Sequence, residues 1–221
     1  MAKGVVIKID GIDGCGKGTL VENLHTHYNS KLRVVTTREF GNDQDANVST
    51  QARSGTVSRM LCEIALNPRL EFDPIEKSMM LTVVERRQNR LVLPNLREQY
   101  DLILSDRSSL SRAYESELGD PYQKLFEWAV EPLLEEDMVL WIDVDPKVAF
   151  SRTVHNTEFV LEHYEADANE IRGFAYQVEV SRAYKMLSSQ KNNIIRIDGN
   201  VDVENLTREA IEHIDTILTS I

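Results

Sequence analysis

Four glycines and a lysine crowd into nine residues near the start of the chain, Gly11-Ile12-Asp13-Gly14-Cys15-Gly16-Lys17-Gly18-Thr19. Glycines at this density let successive backbone N–H groups turn toward a common centre, where they can hold phosphate oxygens. The preceding apolar run Val5–Asp10 reads as a strand and the following Lys17–Asn29 as a helix, which is the context a Walker A loop requires. In that setting the helix N-terminus adds partial positive charge, and Lys17 adds a full one for the β- and γ-phosphates of a nucleotide. Every residue from Gly11 to Thr19 is therefore a candidate ATP contact. One position departs from the motif. Gly18 stands where Ser or Thr ordinarily reaches Mg²⁺.

A second chemical cluster follows the apolar run Leu102–Asp106: Leu104-Ser105-Asp106-Arg107-Ser108, then Ser111 and Tyr114. A carboxylate at the carboxyl end of a central strand lies where open parallel sheets bind ligands, beside the phosphate loop. Asp106 is expected to orient Mg²⁺ or its waters, and Arg107 to clamp an acceptor phosphate through two nitrogens. No Asn-Lys-x-Asp motif for reading guanine is present, which weighs against a GTPase.

The runs Val5–Asp10, Leu32–Arg38, Leu102–Asp106, Met138–Val144 and Asn193–Asp198 are largely apolar and β-branched, as parallel strands covered on both faces are. Helical patterns lie between them over Lys17–Asn29, Pro74–Gln99, Pro121–Leu134, part of Glu158–Ser189, and Val203–Leu218. Pro74, Pro121 and Pro146 each follow an Asp, the signature of a capped helix start. The alternation predicts an α/β domain of the P-loop NTPase kind, a five-stranded parallel sheet with helices on both faces. Polar Gly41–Gly55 reads as a long functional loop.

With 221 residues, the chain is expected to form one domain with a sizeable core. Its formal net charge of −11 weighs against a broad grip on a nucleic-acid polymer, so any phosphate must be held by a few local cations. Cys15 and Cys62 cannot make a disulfide framework, and no membrane-spanning run or signal peptide is evident, so a cytoplasmic location is expected.

Five stretches, in order, resemble the thymidylate kinase family. They are Ile9-Asp10-Gly11-Ile12-Asp13-Gly14-Cys15-Gly16-Lys17; Thr37-Arg38-Glu39; Met79-Met80-Leu81-Thr82-Val83-Val84-Glu85-Arg86-Arg87-Gln88; Asp106-Arg107-Ser108 with Ser111; and Ile142-Asp143-Val144-Asp145-Pro146 leading to Ala149 and Arg152. The resemblance implies a nucleoside monophosphate kinase that moves the γ-phosphoryl group of ATP to a deoxynucleoside monophosphate, dTMP foremost, with Mg²⁺. It further implies an acceptor loop at about residues 38–56, a lid at about 152–170, and a homodimer. Position by position, Lys17 holds donor phosphates and Asp13 arranges the acceptor phosphate. Arg38, Glu39, Thr82, Arg86, Arg107, Ser111 and Tyr114 line the acceptor, and Arg152 brings charge from the lid's edge. Gly-Lys-Gly-Thr is also similar to the wording in adenylate kinases, which implies that Thr19 faces a phosphate.

Three departures leave the acceptor's base open. Thr82 stands where the family places a Phe that stacks on the base, a contact worth about 1–3 kcal/mol. Ser108 and Glu115 replace an expected Tyr and Gln, and Leu161-Glu162-His163-Tyr164-Glu165 replaces the lid's usual Asp-Arg-x-Glu. Specialisation for another or modified base, as in a viral enzyme, is thus an alternative. So are a deoxynucleoside kinase and a non-catalytic ATP-binding module.

Overall fold

The computed structural model describes residues 3–38, 49–65, 67, 69–108, 120–133, 136–153, 173–189 and 192–219. Five strands form one sheet: β1 (Val5–Asp10), β2 (Val34–Arg38), β3 (Leu102–Asp106), β4 (Met138–Asp143) and β5 (Ile194–Asp198). Their order is β2-β3-β1-β4-β5, and all neighbours run parallel. The chain thus winds to one side of β1 and later to the other, which leaves the carboxyl ends of β1 and β3 side by side at a ligand-binding crevice. Arg38 of β2 and Ile9 of β1 both register with Asp106 of β3.

The helices are α1 (Lys17–Tyr28), α2 (Ser49–Ala65), α3 (Pro74–Arg87), α4 (Leu93–Gln99), α5 (Asp120–Ala129), α6 (Gly173–Ser188) and α7 (Val203–Leu218). Residues 146–153 are also helical. Strict alternation along β1 explains why both sheet faces are covered. Val5, Ile7 and Ile9 join the larger core with Leu20 and Leu24 of α1, Val180 of α6 and Leu206 of α7. Val6 points the other way, into a smaller cluster with Leu93 and Leu96 of α4.

The expected strands match those observed, apart from a residue or two at some ends. Three expectations about helices need correction. The stretch Gly41–Gly55 is not a loop throughout, because α2 begins at Ser49. Its periodicity is blurred: Cys62 and Ala65 pack against Leu81 and Val84 of α3, while Val57, Met60 and Ile64 on the opposite side are exposed apolar residues. The helical run Pro74–Gln99 is broken by a π-turn, Gln88–Val92. Pro94 has no N–H to offer residue 90 and its ring crowds that carbonyl, so the regular ladder cannot pass through it. The widened turn brings Asn89 to the buried ammonium of Lys8 (3.3 Å), which also pairs with Glu136 at 3.0 Å. Finally, α5 ends at Ala129 rather than Leu134, with a 3₁₀ turn Glu131–Leu133 around Pro132.

Candidate active site

The phosphate loop is built by the end of β1. Gly14 adopts φ +81°, and a Cβ there would lie 2.3 Å from the Ala149 carbonyl oxygen, so only glycine fits. Gly16 caps α1 in the left-handed region at φ +99° and offers no side-chain hydrogen bond to the first turn. The first N–H groups of α1 are therefore not satisfied by a capping side chain. Nothing lies within 4 Å of where a Cβ on Gly16 or Gly18 would project, so the loop is open on that side. A helix end of this kind attracts an anion.

The buried Lys17 ammonium donates to the carbonyls of Gly11 (2.7 Å) and Ile12 (3.0 Å), which centres it over the loop. It lies 3.7 Å from Asp13 Oδ1. Cys15 is an interior filler of the loop. Burial pushes its thiol up, outweighing the opposite pull of Lys17, so it stays a neutral S–H.

Beside this loop, Arg107 follows β3 with φ +82°, unique among the described non-glycine residues. Such a conformation costs on the order of 1–3 kcal/mol and persists only where its surroundings over-determine it. Here the Arg107 N–H donates to the Ile9 carbonyl (2.8 Å), and the Ser105 hydroxyl donates to the Arg107 carbonyl (3.2 Å). The turn aims the guanidinium across the crevice, where Nη2 meets Asp13 Oδ1 at 3.2 Å. Arg152 reaches the same loop from residues 146–153 and donates to the Gly14 carbonyl at 3.3 Å. Lys17, Arg107 and Arg152 thus converge around Asp13 and the loop, gathering three cations at one place on a chain of net charge −11.

Asp10, the last residue of β1, was not among the expected site residues. It is fully buried and accepts from four donors: the Gly11 N–H (2.8 Å), the Tyr184 hydroxyl (2.6 Å), and the Ser108 N–H (2.8 Å) and hydroxyl (2.6 Å). The sequence signal was an acid closing the strand, just ahead of the glycines.

Other expected positions are placed less uniformly. Arg38 is level with Asp106 in the sheet. Thr82 of α3 is buried, and its Oγ1 has no hydrogen-bond partner among the described residues. At about 100° per residue, Ser78, Thr82 and Glu85 share one stripe of α3, and all three are buried, as is Asn89 in the π-turn that follows. Arg86 flanks that stripe but donates to the Ala129 carbonyl of α5 at 2.6 Å, rather than to the loop. Glu39, Ser111, Tyr114 and nearly all of the expected lid lie outside the described residues.

Comparison with known proteins gives a consistent result. A family model described as thymidylate kinase matches residues 9–210. The thymidylate kinase of Clostridium novyi (strain NT) is 27% identical over 218 residues, covering 95% of this chain and 97% of that protein. The thymidylate kinase of Ligilactobacillus salivarius (strain UCC118) is 25% identical over 226 residues, covering 98% and 100%. A probable thymidylate kinase of Methanobrevibacter smithii is 27% identical over 158 residues, covering 72% and 73%.

Proposed function

As the chain belongs to the thymidylate kinase family, we propose that it transfers the γ-phosphoryl group of ATP to a deoxynucleoside monophosphate, with dTMP the leading acceptor. The observation that carries this reading is the 3.2 Å contact between Arg107 and Asp13. It docks a cation suited to an acceptor phosphate directly on the loop suited to the donor.

The chemistry then needs positioning more than covalent help. Loop amides from Gly11 to Thr19 cradle the donor phosphates, and Lys17 shifts from the loop carbonyls to the β- and γ-oxygens. Arg107, with Arg38 at the neighbouring strand end, holds the acceptor phosphate in line with the donor. Arg152 adds charge where the transferring group is most negative.

The residues present fit Mg²⁺. Asp13 and Asp106 offer hard carboxylate oxygens at the carboxyl ends of β1 and β3. Among the described residues no three His, Cys, Asp or Glu side chains gather into a metal cage. Magnesium suits such a site because it keeps waters and phosphate oxygens as ligands. When bound it supplies charge neutralisation at the β- and γ-phosphates. Homodimerisation and a cytoplasmic location belong to the same proposal; no described helix is long and apolar enough to cross a membrane.

A second reading concerns only the acceptor's base. The buried Thr82 hydroxyl has no hydrogen-bond partner among the described residues, at the position where the family places a stacking ring, which favours an acceptor with another or a modified base. Coupled ADP-release assays across a panel of nucleoside monophosphates test both. Turnover is expected with at least one deoxynucleoside monophosphate and fastest with dTMP. A different fastest acceptor supports the second reading, and turnover of thymidine but of no monophosphate would replace both with a deoxynucleoside kinase.

A further inference from the structure

Asp10 sits where three parts of the chain that are distant in sequence meet. Its Oδ1 takes the N–H of Gly11, the first residue of the phosphate loop, and the hydroxyl of Tyr184 on α6. Its Oδ2 takes both the N–H and the hydroxyl of Ser108, the residue directly after Arg107. A carboxylate with four donors and no solvent exposure has no freedom to rotate. Tyr184 is equally fixed. Its ring lies parallel to Trp141 of β4 with centroids 6.4 Å apart, and both rings are buried in the main core. Burial and the neighbouring Asp10 charge push its hydroxyl well above the usual tyrosine range, so it remains a proton donor throughout the working pH range.

The Arg107 turn needs such support. Its backbone is in the left-handed region, and it is pinned on one side by Ile9 and on the other by Ser108 through Asp10. We propose that Asp10 and Tyr184 are positioning residues for phosphoryl transfer: the buried carboxylate locks the phosphate loop and the Arg107 turn into one unit, and Tyr184 holds that carboxylate in register. Neither touches the reacting atoms. They act through Arg107, whose guanidinium reaches Asp13 only while Ser108 stays seated on Asp10. This inference rests on the function proposed above and adds to it the groups that set the distance between its two phosphate sites.

The test is a double-mutant cycle between Tyr184→Phe and Arg107→Ala, read by steady-state kinetics with dTMP and ATP. Tyr184→Phe keeps the ring stacked on Trp141 and removes only the hydroxyl. It is expected to lower kcat on the order of tenfold to a hundredfold, with the far-UV spectrum unchanged. In the Arg107→Ala background the same change is expected to add less than about twofold, because its effect passes through the missing guanidinium. Ser108→Ala provides a second arm and should raise the KM for the monophosphate more than that for ATP. Full multiplication of the two losses, or a Tyr184→Phe enzyme at the wild-type rate, would overturn the coupling while leaving the assigned reaction intact. Absence of wild-type turnover with every monophosphate would overturn the assigned reaction, and this inference with it.

Discussion

Lys17→Met removes the ammonium that the Gly11 and Ile12 carbonyls centre over the loop. Its kcat in a coupled ADP-release assay is expected to fall about 10²–10³-fold, the usual loss for one charge-stabilising donor. Gly14→Ala acts on the same loop through the backbone. A left-handed φ and a carbonyl 2.3 Å from the new Cβ should cost about 1–3 kcal/mol of unfolding free energy in urea titrations; an unchanged midpoint would contradict the geometry. The loop was legible in the sequence because glycine spacing around a lysine after an apolar strand has few other readings. Asp106 and Arg107 were legible as a charged pair at a strand end. Asp10 was not, since its partners come from positions 11, 108 and 184 and only folding assembles them. The contact of the Arg86 guanidinium with the end of α5 is likewise set by folding rather than by local sequence.

Secondary-structure elements position these residues, and their ends carry separate predictions. Asp73 caps α3 in a reciprocal box: its carboxylate accepts from Ile75 and Glu76, and Glu76 returns a bond to the Asp73 N–H. Asp73→Ala should destabilise the fold by about 1 kcal/mol, measured by denaturant unfolding. Asp202 caps α7, and the Asn205 N–H holds its carboxyl below the usual carboxylate range. A depressed folded pKa means that its contribution is present above the unfolded value near 3.9 and is lost as pH falls through the lower folded value. The Tm gap between wild type and Asp202→Ala should therefore hold between about pH 7 and 5 and narrow below about pH 4; a gap that widens on acidification would contradict it. Caps and strands were readable from local chemistry. The π-turn and α2 were not: the apolar periodicity of Pro74–Gln99 runs straight through Pro94 and does not say how a residue without an N–H is accommodated, and the two-sided apolar pattern of α2 obscured its period.

At the scale of the whole molecule, the parallel sheet places the glycine-rich loop after β1 beside Arg107 after β3, while the helices on its faces leave some apolar surface uncovered. Val57, Met60 and Ile64 project from α2, and Ile75, Met79 and Val83 from α3, all exposed. Exposed apolar rows on two packed helices are the surface that the proposed homodimer would bury. Sedimentation velocity should then give twice the 25.3 kDa chain mass, reduced to one chain by Met60→Lys combined with Met79→Lys. A wild-type monomer would remove the dimer from the account without touching the chemistry. That chemistry is tested most directly by following the label of γ-radiolabelled ATP mixed with dTMP and the other deoxynucleoside monophosphates. The label is expected in a nucleoside diphosphate with wild-type enzyme and to be nearly lost from it with Arg107→Ala. Label released only as inorganic phosphate, or transfer undiminished by Arg107→Ala, would contradict a site in which one loop and one guanidinium bring two phosphates together.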